Sequence, residues 1–562
     1  MRHHIIIYIG IASLIILYSC ARQSSPMGGP KDEAPPQLIS SNPENESTNI
    51  KPSEIHLVFD EYIKVENPTS QVIITPRVNA QQVEFTPLRN RLVIKLNQEL
   101  EDSTTYVFNF QKSVQDITES NPAQRLKLVF STGNEIDSLK FSGTVSYIFP
   151  QQELEDIVVG LYHETDTTDL FTAAPYYIAQ ADSAGRFEIT NIKAGSYRAY
   201  AWYDENNSNK AEHRSEAYGF LNQALQLDDH VTDVHFDLYR GDLSELKVNR
   251  STPVGSNFDI ILSKFPVELE LDYPDNNQQL FYRIKDKIIR LYHADPTQDS
   301  TAIHLSIRDS VGFSIDTTLY AKFVPSERVP EKLEVKANSG KSFVRGITSR
   351  LSFNKPLRSI LYDSLYVRYD TAGRIPITPA HVTYPDSTDR TEILINVPIP
   401  DTLQYATYTV FAADSTFIDV ENQWNETHLE ANYSKLKQET LSEELSGYID
   451  TDEGPIIVQL LGKSDEVVKE LYLTETNAYK FTELEAGQYR LRAIIDHNNN
   501  RRWDPGNIQQ LRQPEPVYYF FDQETQSDQI LLRGGWTLNS IVVKKPEKPA
   551  PIAPEVEETT GG

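Results

Sequence analysis

The chain has 562 residues, a mass of 64.0 kDa and a formal net charge of −27. One hydrophobic core does not serve that length, and a span of about 100–200 residues per domain predicts three to five domains. The acidic balance excludes nucleic acid as a partner, and a single cysteine excludes any disulfide within the chain.

Arg2, His3 and His4 give a short basic start, and Ile5 to Tyr18 is almost unbroken apolar sequence. That run is shorter than the ~20 residues of a membrane-spanning helix and has the form of a secretory signal peptide, residues 1–19. It ends in Leu17-Tyr18-Ser19-Cys20: an aliphatic residue, a variable one, a small one, then the only cysteine. This order resembles the lipobox of bacterial lipoproteins, which implies a mature chain beginning at a multiply acylated Cys20 and held to the membrane by that lipid. Residues 20–36 are rich in Ser, Gly and Pro and show no apolar period, so they form a tether. Within it, Lys31-Asp32-Glu33 resembles the short Lys/acidic export signals of surface lipoproteins of Bacteroidota. That resemblance implies an outer-membrane anchor and a cell-surface location, with the periplasmic face as the alternative.

From Gln37 onward the pattern is strand throughout. "EIHLVFDEYIKV" from Glu54, "RLVIKLNQEL" from Arg91 and "TTYVFNF" from Thr104 place apolar residues at period two, between turn clusters such as Asn42-Pro43-Glu44-Asn45. With "SSNPENESTNI" and the closing "LVFSTG", residues 37–135 resemble a bacterial Ig-like domain of the S-layer type.

Next comes an internal repeat. "GRFEITNIKAGSYRAYAWYDENNSN" begins at Gly185 and "NAYKFTELEAGQYRLRAIIDHNNNR" at Asn477, each preceded by a matching strand, "FSGTV" at Phe141 and "LSGYI" at Leu445. The two repeats, residues 136–241 and 438–543, resemble transthyretin-like or carboxypeptidase-regulatory-like sandwiches, which implies a scaffold without catalytic machinery. Gly195 and Gly487 of the shared Ala-Gly pair are expected in a tight turn of positive φ. Between the repeats lie a divergent sandwich (242–324) and a second Ig-like unit (325–437), the latter carried by "ITSRLSFNKPL". The tail, 544–562, is Pro/Glu-rich and cannot bury a core. The expected fold class is all-β, a tandem array of about five β-sandwich domains.

Catalytic motifs are missing: there is no Gly-x-Ser-x-Gly, no His-Glu-x-x-His and no phosphate-cradling glycine loop. The chain is therefore expected to be non-enzymatic. Asp496, Asn498, Asn500 and Asp504 alternate in the manner of oxygen ligands in a calcium loop, and the first repeat offers Asp204, Asn206, Ser208 and Glu212. The competing expectation is that these side chains bond their own backbone and shape a connection. Trp202, Tyr203, Trp503, Tyr518, Tyr519 and Phe520 flank the two loops, either as packing or as a binding platform. The functional expectation is a lipid-anchored scaffold for envelope protein partners at the outer membrane. The alternative is a glycan-binding accessory protein, with exposed aromatics in line and calcium in the Asp496 loop.

Overall fold

The computed structural model describes residues 33–149, 154, 156–273, 280–294, 300–386 and 389–546. Cys20, the signal segment, most of the tether and the tail beyond Pro546 fall outside them. The described residues are nearly all strand and turn, and the few helical turns run three or four residues, the longest being Pro68–Gln71. The expected all-β class forms, as a series of two-sheet sandwiches. Two compact units divide the chain: Met1–Lys140 with Tyr176–Ile178 and Ile189–Ala194, and the remainder.

In the first unit, strand Glu54–Phe59 turns Ile55, Leu57 and Phe59 inward and its polar partners outward, the period-two pattern of a half-buried strand. It sits between Leu38–Asn42 and Arg91–Leu96, with Val83–Leu88 at the far edge. Ile73–Thr75, Thr105–Asn109 and Lys127–Ser131 form the facing sheet. Phe108 and Tyr106 stack on Phe130 at 5.9 Å, and Leu92, Ile94 and Leu128 complete the core. Each fully buried side chain of this kind contributes about 1.5–3 kcal/mol.

The two repeats share one topology. The first pairs Leu139–Tyr147 with Arg186–Ile192 on one side and, in parallel, Val231–Leu238 on the other. The second does the same with Leu441–Asp450, Ala478–Glu485 and the parallel strand Thr537–Lys544. The facing sheets also match: Tyr177–Gln180, Ile157–His163, Gly195–Tyr203 and Tyr218–Phe220 against Val467–Leu473, Ile456–Leu461, Gly487–Ile495 and Val517–Tyr519. Both parallel ladders bulge at the shared Ser-Gly step, at Gly143 and Gly447. A Cβ on Gly143 would overlap the Val234 carbonyl oxygen, and one on Gly447 the Ile541 carbonyl oxygen, so only glycine permits the approach.

The expectation for Gly195 and Gly487 is corrected. Neither adopts positive φ; Asn191 (φ 58°) and Glu483 (φ 55°), four positions earlier, take the left-handed conformation. The missing Cβ instead leaves room for the ring of the next inward tyrosine, whose nearest atom would lie 3.4 Å away for Tyr197 and 3.6 Å for Tyr489.

The third sandwich stacks Val248–Val254, Asn257–Leu262, Ile288–His293 and Leu280–Lys285 on Glu268–Asp272, Ser300–Arg308 and Ser314–Lys322. The fourth faces Val335–Ala337, Gly346–Phe353, Glu392–Pro398 and Val382–Thr383 with a five-stranded sheet containing Leu365–Arg368, Thr407–Ala412 and Leu429–Lys435. At their junction Lys355, 1 % exposed, pairs with the fully buried Asp419 and with Glu421 at 3.1 Å, and donates to the Glu331 carbonyl. Glu421 in turn accepts from Asn257 Nδ2 of the third sandwich at 2.9 Å. Charges this deep persist only when paired and hydrogen-bonded.

Candidate functional site

Both repeats carry an Asx loop directly after the same central strand. In the second repeat, Asp496 follows Gly487–Ile495 and is fully buried. Its Oδ1 accepts the Asn500 amide at 3.1 Å; its Oδ2 accepts the Arg501 amide at 2.8 Å and the Tyr472 hydroxyl at 2.9 Å. Asn498 Oδ1 also accepts the Asn500 amide, and Asn500 Oδ1 accepts that of Arg502. Asn498 Nδ2 and Asn500 Nδ2 both donate to Asp504 Oδ2, the latter at 2.6 Å, while Arg502 Nε reaches Asp504 Oδ1 at 3.1 Å. Asn499 and Arg501 take φ near +62°, which winds the loop tightly enough for these bonds.

The first repeat reproduces the arrangement with other residues. Asp204 accepts the Ser208 amide at 2.9 Å and the Asn209 amide at 2.8 Å, and Asn206 Nδ2 donates to Glu212 at 3.0 Å. Asn207 and Asn209 take the positive φ. The four residues expected from each repeat thus come together on one loop.

A fifth residue in each repeat is part of the same arrangement and was not expected. Glu515 accepts the His497 and Asp504 amides, both at 2.9 Å, and Glu216 accepts the Glu205 and Glu212 amides at 3.1 and 2.7 Å. These are equivalent positions, each reached from the start of the return strand. Burial raises the pKa of Glu515, with the charges of Asp504 and Asp496 adding to it and the two amides opposing. Burial likewise raises Glu216, with Asp204 adding to it. The local signal was the shared position of Glu216-Ala217 and Glu515-Pro516 at the head of matching strands.

The donor set is hard oxygen, of the kind calcium takes, and Asp496, Asn498, Asn500, Asp504 and Glu515 are the residues that would hold it. Among the described residues, however, no group of three or more His, Cys, Asp or Glu is arranged to hold a metal ion. The loop closes on itself: backbone amides occupy both Asp496 oxygens, and the two asparagines present N–H groups to Asp504. A cation there requires both amides to turn over.

The aromatic residues divide sharply. Trp202 is fully buried and Tyr518 nearly so, so both belong to the cores. Trp503 donates its indole N–H to the Glu515 carbonyl at 2.9 Å and meets Phe149 of the first repeat edge-on at 4.8 Å. Tyr203, Tyr519 and Phe520 are half-buried, so none of the six is fully exposed.

Within the second unit the two repeats touch. Gln513 Nε2 donates to the Phe220 carbonyl at 2.8 Å, and a cavity of about 630 Å³ between them is lined by Tyr147, Phe220, His235, Tyr518 and Tyr519. Burial pushes the Tyr147 hydroxyl up to about 12. The insertion that lengthens the second loop carries Arg512, which donates to the Val311 carbonyl of the third sandwich at 2.9 Å; Arg502 reaches Glu268 of the same sandwich at 2.9 Å. The second loop therefore acts as a joint between domains.

Residues 32–132 match the bacterial Ig-like domain family, and residues 142–212 match a family described as polysaccharide lyase family 4, domain II. No curated protein matches the chain. Among solved structures, dimeric latent PorU from Porphyromonas gingivalis aligns at 9 % identity with a TM-score of 0.24, over 56 % of this chain and 36 % of its own, so the chain spans about a third of that length. The Bacillus anthracis TIE protein aligns at 8 % and 0.12, over 95 % and 78 %, and surface layer protein SbsC, domains 1–6, at 10 % and 0.15, over 83 % and 66 %. Alignments this weak carry no argument about function. The comparisons place a segment similar to bacterial Ig-like domains at residues 32–132 of an all-β, multi-sandwich chain.

Proposed function

We propose that the chain is a lipid-anchored, non-catalytic envelope protein of the outer membrane. Its tandem sandwiches present binding surfaces to protein partners in or near that membrane. The observation that carries this reading is the juxtaposition of Leu17-Tyr18-Ser19-Cys20 with a bacterial Ig-like match that begins twelve residues later, at residue 32. A lipid at Cys20 holds one end, the tether supplies reach, and rigid β modules set the distance of each surface from the membrane. The domain joints at Lys355, Arg502 and Arg512 support a scaffold role, because they lock neighbouring modules.

Palmitate labelling of wild type and Cys20→Ala, with surface proteolysis of intact cells, tests the anchor. Label lost in the variant and wild-type chain shaved from outside support a surface lipoprotein. Label with protection from protease moves the protein to the periplasmic face, and no label overturns the anchor. Affinity capture of the lipidated chain from detergent extract then brings down a stoichiometric partner if it is a scaffold.

A glycan-binding accessory role is the second reading, favoured by the description of the family matched at residues 142–212. Glycan-array binding with and without EDTA separates it from the first.

A further inference from the structure

In the first unit, backbone hydrogen bonds draw four separate segments to one end of the sandwich. The Asp60 amide donates to the Gln37 carbonyl at 3.1 Å and the Gln37 amide to Asp60 Oδ1 at 2.8 Å. The Ile117 amide donates to the Tyr62 carbonyl at 3.3 Å, and that of Ile63 to the Arg89 carbonyl at 2.8 Å. On these four segments sit Ile39, Tyr62, Leu88 and Ile117, between 53 % and 65 % exposed. Among the described residues they are all the large apolar side chains that this unit exposes strongly. Solvent-facing apolar residues scattered singly need no explanation, but four gathered at one end mark a surface that is covered in use.

The end they occupy is the one at which the chain enters. Gln37, pinned to Asp60, is the last residue before the first strand, Leu38–Asn42. That strand runs antiparallel to Glu54–Phe59, and the last strand, Lys127–Ser131, finishes at the opposite end, where the Ser131 amide donates to the Ser47 carbonyl. Within the unit, then, the chain arrives through the apolar end and leaves from the other. Only residues 21–36 separate Cys20 from Gln37, and a chain of that length reaches no more than about 55 Å even when fully extended.

We propose that this end, with Tyr62 and Ile117 at its tip, seats on the lipid bilayer. The proposal rests on the lipid-anchor reading above. Tyr suits the headgroup level, with an apolar ring and a polar tip, and Ile and Leu beside it bury in the acyl boundary. The charges around the patch are mixed: Lys64 and Arg89 stand with Asp60 and Glu61. With a net charge of −27 the chain gains nothing from an anionic surface. The contact is apolar, so uncharged lipid serves.

The test uses the mature lipidated chain in vesicles of phosphatidylethanolamine and phosphatidylcholine. Acylation takes the Cys20 sulfur, so Ile117→Cys offers the only free thiol for an environment-sensitive fluorophore. Ser53→Cys, exposed at the opposite end, is the control. Expected is quenching by shallow spin-labelled lipid at least threefold greater at position 117 than at position 53, unchanged by salt. In the Tyr62→Ser/Leu88→Ser background the position 117 signal falls to the control level, while hydrogen exchange of the core strands stays as in wild type because both side chains are exposed. Equal quenching in a chain that floats with the vesicles overturns the seating and leaves the anchor intact. A blue-shifted probe without lipid quenching overturns it in favour of a protein covering this end. A chain that fails to float overturns the anchor and the seating together.

Discussion

Replacing Lys355 with Met keeps the apolar stem and removes the ammonium from the junction of the third and fourth sandwiches. Asp419, 0 % exposed, then loses its cation, and Glu421 loses the partner that holds it at 3.1 Å. Removing one member of a buried ion pair leaves an uncompensated charge and costs about 3–5 kcal/mol. In equilibrium exchange that is roughly a 150- to 4000-fold loss of protection, at about 1.4 kcal/mol per decade. The assay is hydrogen exchange of strands Thr407–Ala412 and Leu365–Arg368, which carry the core of the fourth sandwich. The effect also has a sign with pH. Burial pushes the Asp419 carboxyl up while Lys355 and two backbone amides pull it down. Without Lys355 burial dominates, so the folded state retains a proton that the unfolded state releases near pH 4. The variant then loses stability as pH rises from about 4 through the raised folded value, and is better protected at mildly acidic than at alkaline pH. Lys355→Met/Asp419→Leu removes both charges and recovers much of the loss. Less than a fivefold change in protection at neutral pH for Lys355→Met refutes the claim that this pair holds the junction.

Gly447→Ala forces a Cβ into the Ile541 carbonyl and parts the parallel ladder, costing about 1–3 kcal/mol or more, whereas Gly195→Ala meets only a tyrosine ring and costs less than about 1 kcal/mol; chemical denaturation of the two variants compares them. The closed Asx loop predicts that EDTA leaves the melting temperature of the full chain unchanged and that millimolar calcium raises it by less than ~1 °C, whereas a saturated site at 100 times its Kd would add about 2.7 kcal/mol. Glu515, raised by burial, makes folding less favourable as pH climbs above its ordinary value near 4 and through the raised one. Glu515→Gln therefore flattens that slope in a pH series of thermal melts, at the cost of weaker bonds to the His497 and Asp504 amides.

Period-two alternation made the strands legible, because one face of each outer strand meets water. It fails for the central strands of the repeats. Trp202 alternates with the inward Tyr197, Ala199 and Ala201, and alternation alone sends it outward. In the fold the outer face of that strand is covered as well: a Cβ on Gly160 would lie 3.0 Å from the Trp202 ring, beside Pro175. The repeat is visible as matched Ala-Gly-x-Tyr-Arg segments, but the pattern does not reveal what its glycines do. A turn needs positive φ somewhere, and the chain put it at Asn191 and Glu483, leaving Gly195 and Gly487 to make room for a side chain. The loop residues Asp496, Asn498, Asn500 and Asp504 were legible from their spacing. Glu515 was not, because it lies eleven residues beyond Asp504, against four between Glu212 and Glu216, so no fixed spacing joins the copies. Lys355 gave no signal at all: a single lysine in a turn looks the same exposed or buried.

The parallel pairing of first and last strands in each repeat has a mechanical consequence. Leu441–Asp450 and Thr537–Lys544 run the same way, as do Leu139–Tyr147 and Val231–Leu238. Each sandwich therefore receives the chain at one end and releases it at the other, and tension along the chain slides these two strands past one another. In that loading direction the ladder bonds share the force and break together, whereas an antiparallel hairpin pulled at its open end would unzip one bond at a time. The bulge at Gly143 and Gly447, where a facing carbonyl leaves no room for a Cβ, lies within the stretch that bears this shear. A chain tethered at one end and gripped by a partner at the other would hold its modules folded under drag.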